Sequence, residues 1–262
     1  IDADILRYEI GFAAETGWRA IAEEKGWDNV IPPFHYVEKL LLGRLKYIQQ
    51  MVGTEAPYVL YLTEGHTFRY DIAKTKPYKG TRKENKPWHY NNLSIYIKDV
   101  LGAKVVTGIE ADDAISIKHI SSKDKTIICS RDKDLRQLPG WFYSWELGRQ
   151  PSFGPHLVSH VGTLELSDDN KKLNATGLAA FYGQVLTGDR VDNIPGLDKC
   201  GPVAASHILD TDDMLGSVII EYADTYGTAS EKMLLEQGRL CWMTRRLHED
   251  GTPVLWEIGM ES

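Results

Sequence analysis

The densest chemistry in the chain lies at Gly108-Ile109-Glu110-Ala111-Asp112-Asp113-Ala114-Ile115, where three carboxylates fall within four residues. The stretch follows an apolar run, Ala103 to Val106, and continues with helical apolar spacing, so the acids are expected at a strand-to-helix junction. Like charges this close raise the pKa of at least one group. The helix N-terminus offsets part of that repulsion, and a divalent cation offsets far more. Helix starts rich in acids are also common without any metal, so this stretch alone leaves both readings open. A second stretch shifts the balance. Thr126-Ile127-Ile128-Cys129-Ser130 reads as a buried strand that runs straight into Arg131-Asp132-Lys133-Asp134-Leu135. Two aspartates two residues apart at a strand's C-terminal end make a hard-oxygen set suited to Mg²⁺. Asp is also ordinary in solvated turns. That reading weakens because an acid pair recurs at Gly188-Asp189-Arg190-Val191-Asp192-Asn193-Ile194.

Acids so far apart in sequence can share a site only if the fold gathers them. Ile1-Asp2-Ala3-Asp4 reads as the end of a strand, with Asp2 at its tip and Asp4 capping the helix that follows, Ile5 to Glu24, interrupted at Gly17. Pro32-Pro33 precedes a strongly periodic helix, Phe34 to Val52, with Val37, Leu40, Leu41, Leu45 and Ile48 on one side. Tyr58 to Leu62 is a strand, which places Glu64 just beyond its end. A helix from Asn91 to Leu101, the strand Ala103–Val106, the acidic helix to about Ile120 and the strand at Thr126 follow. Trp141 to Trp145 reads as a short strand, Val161 to Leu166 as half of a hairpin, and Thr176 to Thr187 as a helix closed by Gly188. Alternating strands and helices predict an α/β fold with a parallel sheet, whose sites lie outside the C-terminal strand ends. Asp2, Glu64, Glu110 and Asp132 each follow a different strand, and that shared position argues for one site.

Two further segments suit a polyanion. His66 to Trp88 interleaves Arg69, Lys74, Lys76, Lys79, Arg82, Lys83 and Lys86 with Phe68, Tyr70, Tyr78 and Trp88, a pattern that fits phosphates and stacked bases as well as a solvated basic loop. Ile194 to Ala205 reads as helix–turn–helix, with Gly196 and Gly201 bracketing the turn and Pro202 opening the next helix. Backbone N–H groups in such a turn can hold a phosphate without reading a base. Beyond Asp212 the chain is expected to be helical, with Met233, Leu234, Leu240, Trp242 and Met243 in the core.

The 262 residues suffice for one or two domains, with 42% hydrophobic and 26% charged residues as in ordinary globular proteins. The longest apolar runs are too short to span a bilayer, and no signal peptide is visible, although an opening at Ile1 leads us to expect residues before it. Three cysteines, Cys129, Cys200 and Cys241, have no zinc-ligand spacing and point to a reducing compartment. The net charge of −7 looks wrong for a nucleic-acid binder, but setting aside the nine candidate metal ligands leaves 28 acids against 30 bases. A metal site would neutralise much of that excess.

Taken together these stretches resemble the flap endonuclease and 5′-exonuclease family, with the phage replication exonucleases nearest in look. The resemblance rests on Ile1-Asp2-Ala3-Asp4, Thr63-Glu64-Gly65 with Phe68-Arg69, Tyr78-Lys79-Gly80-Thr81-Arg82, Gly108 to Ala114, Ser130 to Leu135, and Gly188 to Ala205. These occur in family order over roughly the first 210 residues. The resemblance implies a PIN-like, mostly parallel central sheet flanked by helices, a helical arch over the site (segment 66–90), and a helix–three-turn–helix module (about 185–210) that grips duplex DNA. It divides the chain into a catalytic region, 1–150, and a C-terminal part, 151–262.

It further implies that Asp2, Glu64, Glu110, Asp112 and Asp113 surround one Mg²⁺, and Asp132, Asp134, Asp189 and Asp192 a second, with Mn²⁺ able to substitute. Lys79 and Arg82 would be catalytic, beside the scissile phosphate. Arg69, Tyr78, Lys83, Lys86, Gly196, Lys199 and Gly201 would contact DNA, with K⁺ at the Gly196–Gly201 turn. The implied substrate is DNA with a 5′ end, nick or 5′ flap, extending to RNA–DNA hybrids. The implied protein is a cytoplasmic monomer (host cytoplasm if phage-encoded) in replication, primer removal or repair, with no membrane partner. Glu64 departs from the family's usual Asp. The rival readings are a PIN-type ribonuclease, which would not need the Gly196–Gly201 module, and a catalytically weakened DNA-binding member. His66, His89, His156 and His160 are expected at the surface rather than in catalysis.

Overall fold

A computed structural model describes residues 1–260 apart from 54, 56, 84 and 124. The sheet begins at residues 1 and 2. Tyr61 N–H donates to the Ile1 carbonyl and Asp2 N–H to the Cys129 carbonyl, so this short stretch stitches β1 (Tyr61–Thr67) to β3 (Ile127–Cys129). On one side β1 pairs in parallel with β2 (Lys104–Gly108); on the other β3 pairs in parallel with β4 (Gly140–Ser144). An antiparallel strand, β5 (Phe153–Val158), closes that edge. The result is the mostly parallel α/β sheet that the strand–helix alternation predicts.

Helix α1 (Ala3–Lys25) buries Leu6, Ile10 and Ala14 against Val37, Leu41, Leu45 and Ile48 of α2 (Phe34–Met51). Each Leu or Ile so buried contributes roughly 1.5–3 kcal/mol. Gly17 does not interrupt α1. A Cβ there would stand 2.7 Å from the Tyr36 hydroxyl, so glycine serves the close approach of the two helices. Strand β1 is shifted from the expected Tyr58–Leu62: it starts at Tyr61 and runs on to Thr67. Its pairing shifts between Thr63 and Thr67, and Glu64 lies inside the strand.

Where a helical arch is expected over 66–90, the described residues between β1 and residue 90 hold one short helix, α3 (Phe68–Ile72), with turns and irregular chain after it, as Pro77, Gly80 and Pro87 favour. Helix α4 (Tyr90–Ile95) continues into a π-helical turn, Tyr96–Val100. Helix α5 (Ala111–Ser121) follows β2. The hairpin β6 (Leu164–Leu166) and β7 (Leu173–Ala175) leads into α6 (Gly177–Thr187), α7 (Pro202–Ile208), α8 (Met214–Tyr226) and α9 (Ser230–Cys241). These helices enclose a second core around Phe181, Trp242 and Trp256. Among the described residues no helix is long and apolar enough to cross a membrane.

Candidate active site

The C-terminal ends of the parallel strands gather acids from four parts of the chain. Asp2 ends the first stretch and caps α1: its Oδ1 accepts from the N–H groups of Asp4 (2.9 Å) and Ile5 (3.3 Å), and its Oδ2 from Ser130 Oγ (3.0 Å). Burial, then the charges of Asp4 and Asp132, push its carboxyl up to about 7. Asp112, in the first turn of α5, is pushed well up by burial and by Asp2, Asp132, Glu110 and Asp4. Its Oδ1 is buried with no hydrogen-bond partner. Asp132 follows β3 and accepts from the Asp134 N–H (2.8 Å); burial raises its pKa despite that bond. Asp134 opens the 3₁₀ turn Asp134–Gln137, accepts from Gln184 Nε2 (2.9 Å), and is raised to about 8 by burial and Asp132.

The fourth part is the loop after α6, closed by paired backbone bonds between Asp189 and Ile194 (2.9 and 2.8 Å). Burial alone would raise Asp189, but the ammonium of Lys133 at 2.8 Å and the N–H groups of Val191 and Asp192 outweigh it and lower the pKa. Asp192 accepts from Tyr78 (2.9 Å) and Arg82, while Glu110 accepts from Tyr78 (2.9 Å) and Lys79.

The turn bearing Lys79 and Arg82 is held to this loop. Lys79 N–H donates to the Asp192 carbonyl (2.8 Å), Asn193 Nδ2 to the Pro77 carbonyl (2.9 Å), and Arg82 Nε to the Val191 carbonyl (3.3 Å). Lys79 adopts φ +55° and Asn193 +59°, left-handed conformations that disfavour most side chains and that the surrounding bonds sustain. Burial works against the Lys79 and Arg82 cations, but Glu110 and Asp192 outweigh it and raise both pKa values.

No protein-family model matches the chain, and neither does any curated protein. Solved structures do. A bacteriophage T5 protein co-crystallised with metal ions is similar over 89% of this chain and 85% of its own, at 16% identity and a TM-score of 0.54. A T5 flap endonuclease in a pseudo-enzyme–product complex with DNA and metal ions is similar over 77% and 79%, at 16% identity and a TM-score of 0.51. A mutant T5 5′-exonuclease is similar over the same shares at a TM-score of 0.52. The chain has the 5′-nuclease fold.

Within that fold, Asp2, Glu110, Asp112, Asp132, Asp134, Asp189 and Asp192 lie together, as their mutual charge effects and shared partners show. Two expected metal ligands lie elsewhere. Glu64 sits on the exposed part of β1 and pairs with Lys98 at 3.3 Å, because the strand continues past it rather than ending before it. Asp113 is fully buried and faces Arg69. Its two oxygens accept from both Arg69 Nη groups (2.6 and 2.9 Å) and from the N–H groups of Glu110 (3.1 Å) and Thr244 (3.0 Å). Burial would raise its pKa, but Arg69 and these donors lower it, and no oxygen remains for a cation.

Three residues expected at DNA also take other places. Arg69 is 1% exposed and spends its remaining N–H groups on Glu110 and on the carbonyls of Leu240 and Trp242. Tyr78 is buried between Glu110 and Asp192. Gly196 is buried, its N–H is donated to Gln237 Oε1 (3.1 Å), and a Cβ would strike the Gly188 nitrogen at 2.3 Å, so it serves packing rather than phosphate contact. Lys83, Lys86, Lys199 and Gly201 are exposed. Of the histidines expected at the surface, His89 is buried and bonded to the Pro32 carbonyl.

The donor set fits a hard divalent cation. It is all oxygen, it holds an orphaned buried atom at Asp112 Oδ1, and burial and mutual repulsion hold four carboxyls above their ordinary range. Among the described residues no group of three or more His, Cys, Asp or Glu side chains is already disposed to hold an ion. Glu110, Asp189 and Asp192 are instead turned to Lys79, Lys133 and Arg82, so bases occupy oxygens that a cation would take. Sequence reading missed Ser130, Lys133, Gln184 and Glu236. Ser130 and Lys133 lie within two residues of Asp132 in the chain, but Gln184 and Glu236 carried no local signal.

Proposed function

We propose that the chain is a divalent-metal-dependent 5′-nuclease that hydrolyses DNA phosphodiesters. The observation that carries this reading is the gathering of seven carboxylates, five at parallel strand ends and two on the loop after α6, with Lys79 and Arg82 fixed against them, in a fold shared with a 5′-exonuclease and a flap endonuclease. Asp2, Glu110 and Asp112 would hold one Mg²⁺, and Asp132, Asp134, Asp189 and Asp192 a second, with Mn²⁺ able to substitute. Such cations supply a more acidic attacking water and stabilise the leaving oxygen.

The chain's own groups prepare that chemistry. Ser130 orients Asp2 and Gln184 orients Asp134. Lys79 and Arg82 bring positive charge to where a phosphate gathers negative charge on the way to cleavage. Lys83, Lys86, Lys199 and the Gly201 turn are exposed and would hold a duplex by its phosphates without reading bases. Removal of 5′ ends, nicked strands, RNA primers or flaps during replication or repair is the corresponding role.

A digestion panel tests this: 5′-labelled duplex, nicked duplex, 5′ flap, RNA–DNA hybrid and single-stranded RNA, each with Mg²⁺, Mn²⁺ or EDTA. Release of short 5′ products from the DNA substrates only with metal is expected. Full activity in EDTA, or cleavage confined to single-stranded RNA, would overturn the reading.

A further inference from the structure

Two elements that carry the site's acids, α1 and α5, meet at one hydroxyl of β1. Thr63, in β1, donates through Oγ1 to Asp4 Oδ2 (2.5 Å) and accepts through the same oxygen from the Ala111 N–H (2.8 Å). Its own N–H donates to Asp4 Oδ1 (3.1 Å). Asp4 lies two residues past Asp2 on α1, and Arg7 holds it from the other side. Ala111 opens α5 between Glu110 and Asp112. Its N–H is one of the first-turn donors that no residue within the helix can satisfy, and Thr63 satisfies it from another strand. The path Asp2–Asp4–Thr63–Ala111–Asp112 therefore joins two elements that each carry acids of the site.

Asp2 and Asp112 are carboxylates of one site on two different helices, so a hydrogen-bonded tie between α1 and α5 keeps the spacing of like charges fixed. Asp4 also adds a negative charge beside the donors while leaving its own oxygens committed to Thr63 and Arg7. We propose that Thr63 and Asp4 form a positioning pair that holds the N-terminus of α5 against Asp2 and so sets the site's affinity for divalent cations. Neither residue belongs to the donor set, and the proposal rests on the nuclease reading only in taking that set to bind metal.

The test is a Mn²⁺ titration followed by electron paramagnetic resonance on the whole chain without DNA, comparing wild type with Thr63→Val, Thr63→Ser and Asp4→Asn. Removing a group that orients metal ligands typically costs about 10–100-fold in affinity. Thr63→Val and Asp4→Asn should each weaken Mn²⁺ binding by about tenfold or more. Thr63→Ser keeps the hydroxyl and should stay within about threefold of wild type on the same scale. Circular dichroism in EDTA should show all four proteins folded. Unchanged affinity in Thr63→Val, a Thr63→Ser as weak as the valine variant, or a wild type that binds no Mn²⁺ would each overturn the pair. DNA cleavage is read separately: a wild type that binds Mn²⁺ and loses affinity as expected, yet cuts no DNA, supports the pair and removes the nuclease reading.

Discussion

Arg69 faces Asp113 inside the protein with both guanidinium Nη groups on the carboxylate and its remaining reach on the Leu240 and Trp242 carbonyls. A buried pair of this kind gains little over an apolar replacement, but removing one partner leaves an uncompensated charge. Arg69→Met should therefore lower stability by about 3–5 kcal/mol in urea unfolding, and adding Asp113→Leu should recover much of it. Loss in Arg69→Met with no recovery in the double variant would show that the carbonyl contacts, not the ion pair, dominate. Asp132 and Asp134 are different: burial keeps both pKa values raised even with Lys133 beside them, which stands 3.9 Å from Asp134 and pairs more closely with Asp189 at 2.8 Å. Asp132→Asn with Asp134→Asn should abolish cleavage while duplex affinity in Ca²⁺ stays near wild type; residual cleavage above about a tenth would remove them from the site. Residue type and spacing were enough to mark Asp2, Asp112, Asp132 and Asp134. They could not distinguish Asp113 from its neighbour Asp112, because that distinction depends on Arg69 and Thr244, 44 and 131 residues away in the chain.

At the scale of elements, the segment 66–82 is fastened along its length. Glu236 on α9 accepts from the N–H groups of Lys74 (2.8 Å) and Thr75 (2.6 Å), and the loop Asp189–Ile194 holds the turn that follows. Lys79 and Arg82 therefore stand against the acids before any substrate arrives. Contacts already in place and made stronger as charge develops lower the barrier rather than the ground state. Lys79→Ala and Arg82→Ala should each reduce kcat by about 10²-fold or more with KM changed less than about threefold; a change confined to KM would show that they only hold substrate. The turn before α7 gives a second test. Gly201 has an ordinary φ of −95°, and a Cβ there meets nothing within 4 Å. Gly201→Val should fold normally yet weaken binding to unrelated duplexes alike, if the turn meets phosphates. A folded variant with unchanged duplex affinity would refute that contact. Periodicity made α2 legible almost to the residue, and the Thr176 cap with the closing Gly188 did the same for α6. The extent of β1 was not, because Thr63 to Thr67 carries no apolar alternation and is held as strand by β2.

For the whole molecule, the concentration of like charge at one end of the sheet has a thermodynamic consequence. Asp2 is raised to about 7 and Asp134 to about 8, chiefly by burial and then by neighbouring acids. In the unfolded chain both return to about 4. Between those values the folded protein binds more protons than the unfolded one, so stability falls as pH rises. The contribution is full below about pH 4 and is lost through pH 7 to 8. The depressed carboxyls of Asp113 and Asp189 act at the acid end, outside this window. In EDTA the melting temperature of the wild type should therefore decline from pH 5.5 to 8.5 relative to Asp2→Asn with Asp134→Asn, in which neither group titrates. Divalent cations bind the ionised carboxylates and must displace protons to do so. Millimolar Mg²⁺ should thus raise the wild-type melting temperature more at pH 8.5 than at pH 5.5, and leave the double variant nearly unmoved at both. Scanning calorimetry at the two pH values, with and without metal, measures all four differences. Equal pH slopes for the wild type and the variant in EDTA would show that burial and neighbouring acids do not hold these two carboxyls up.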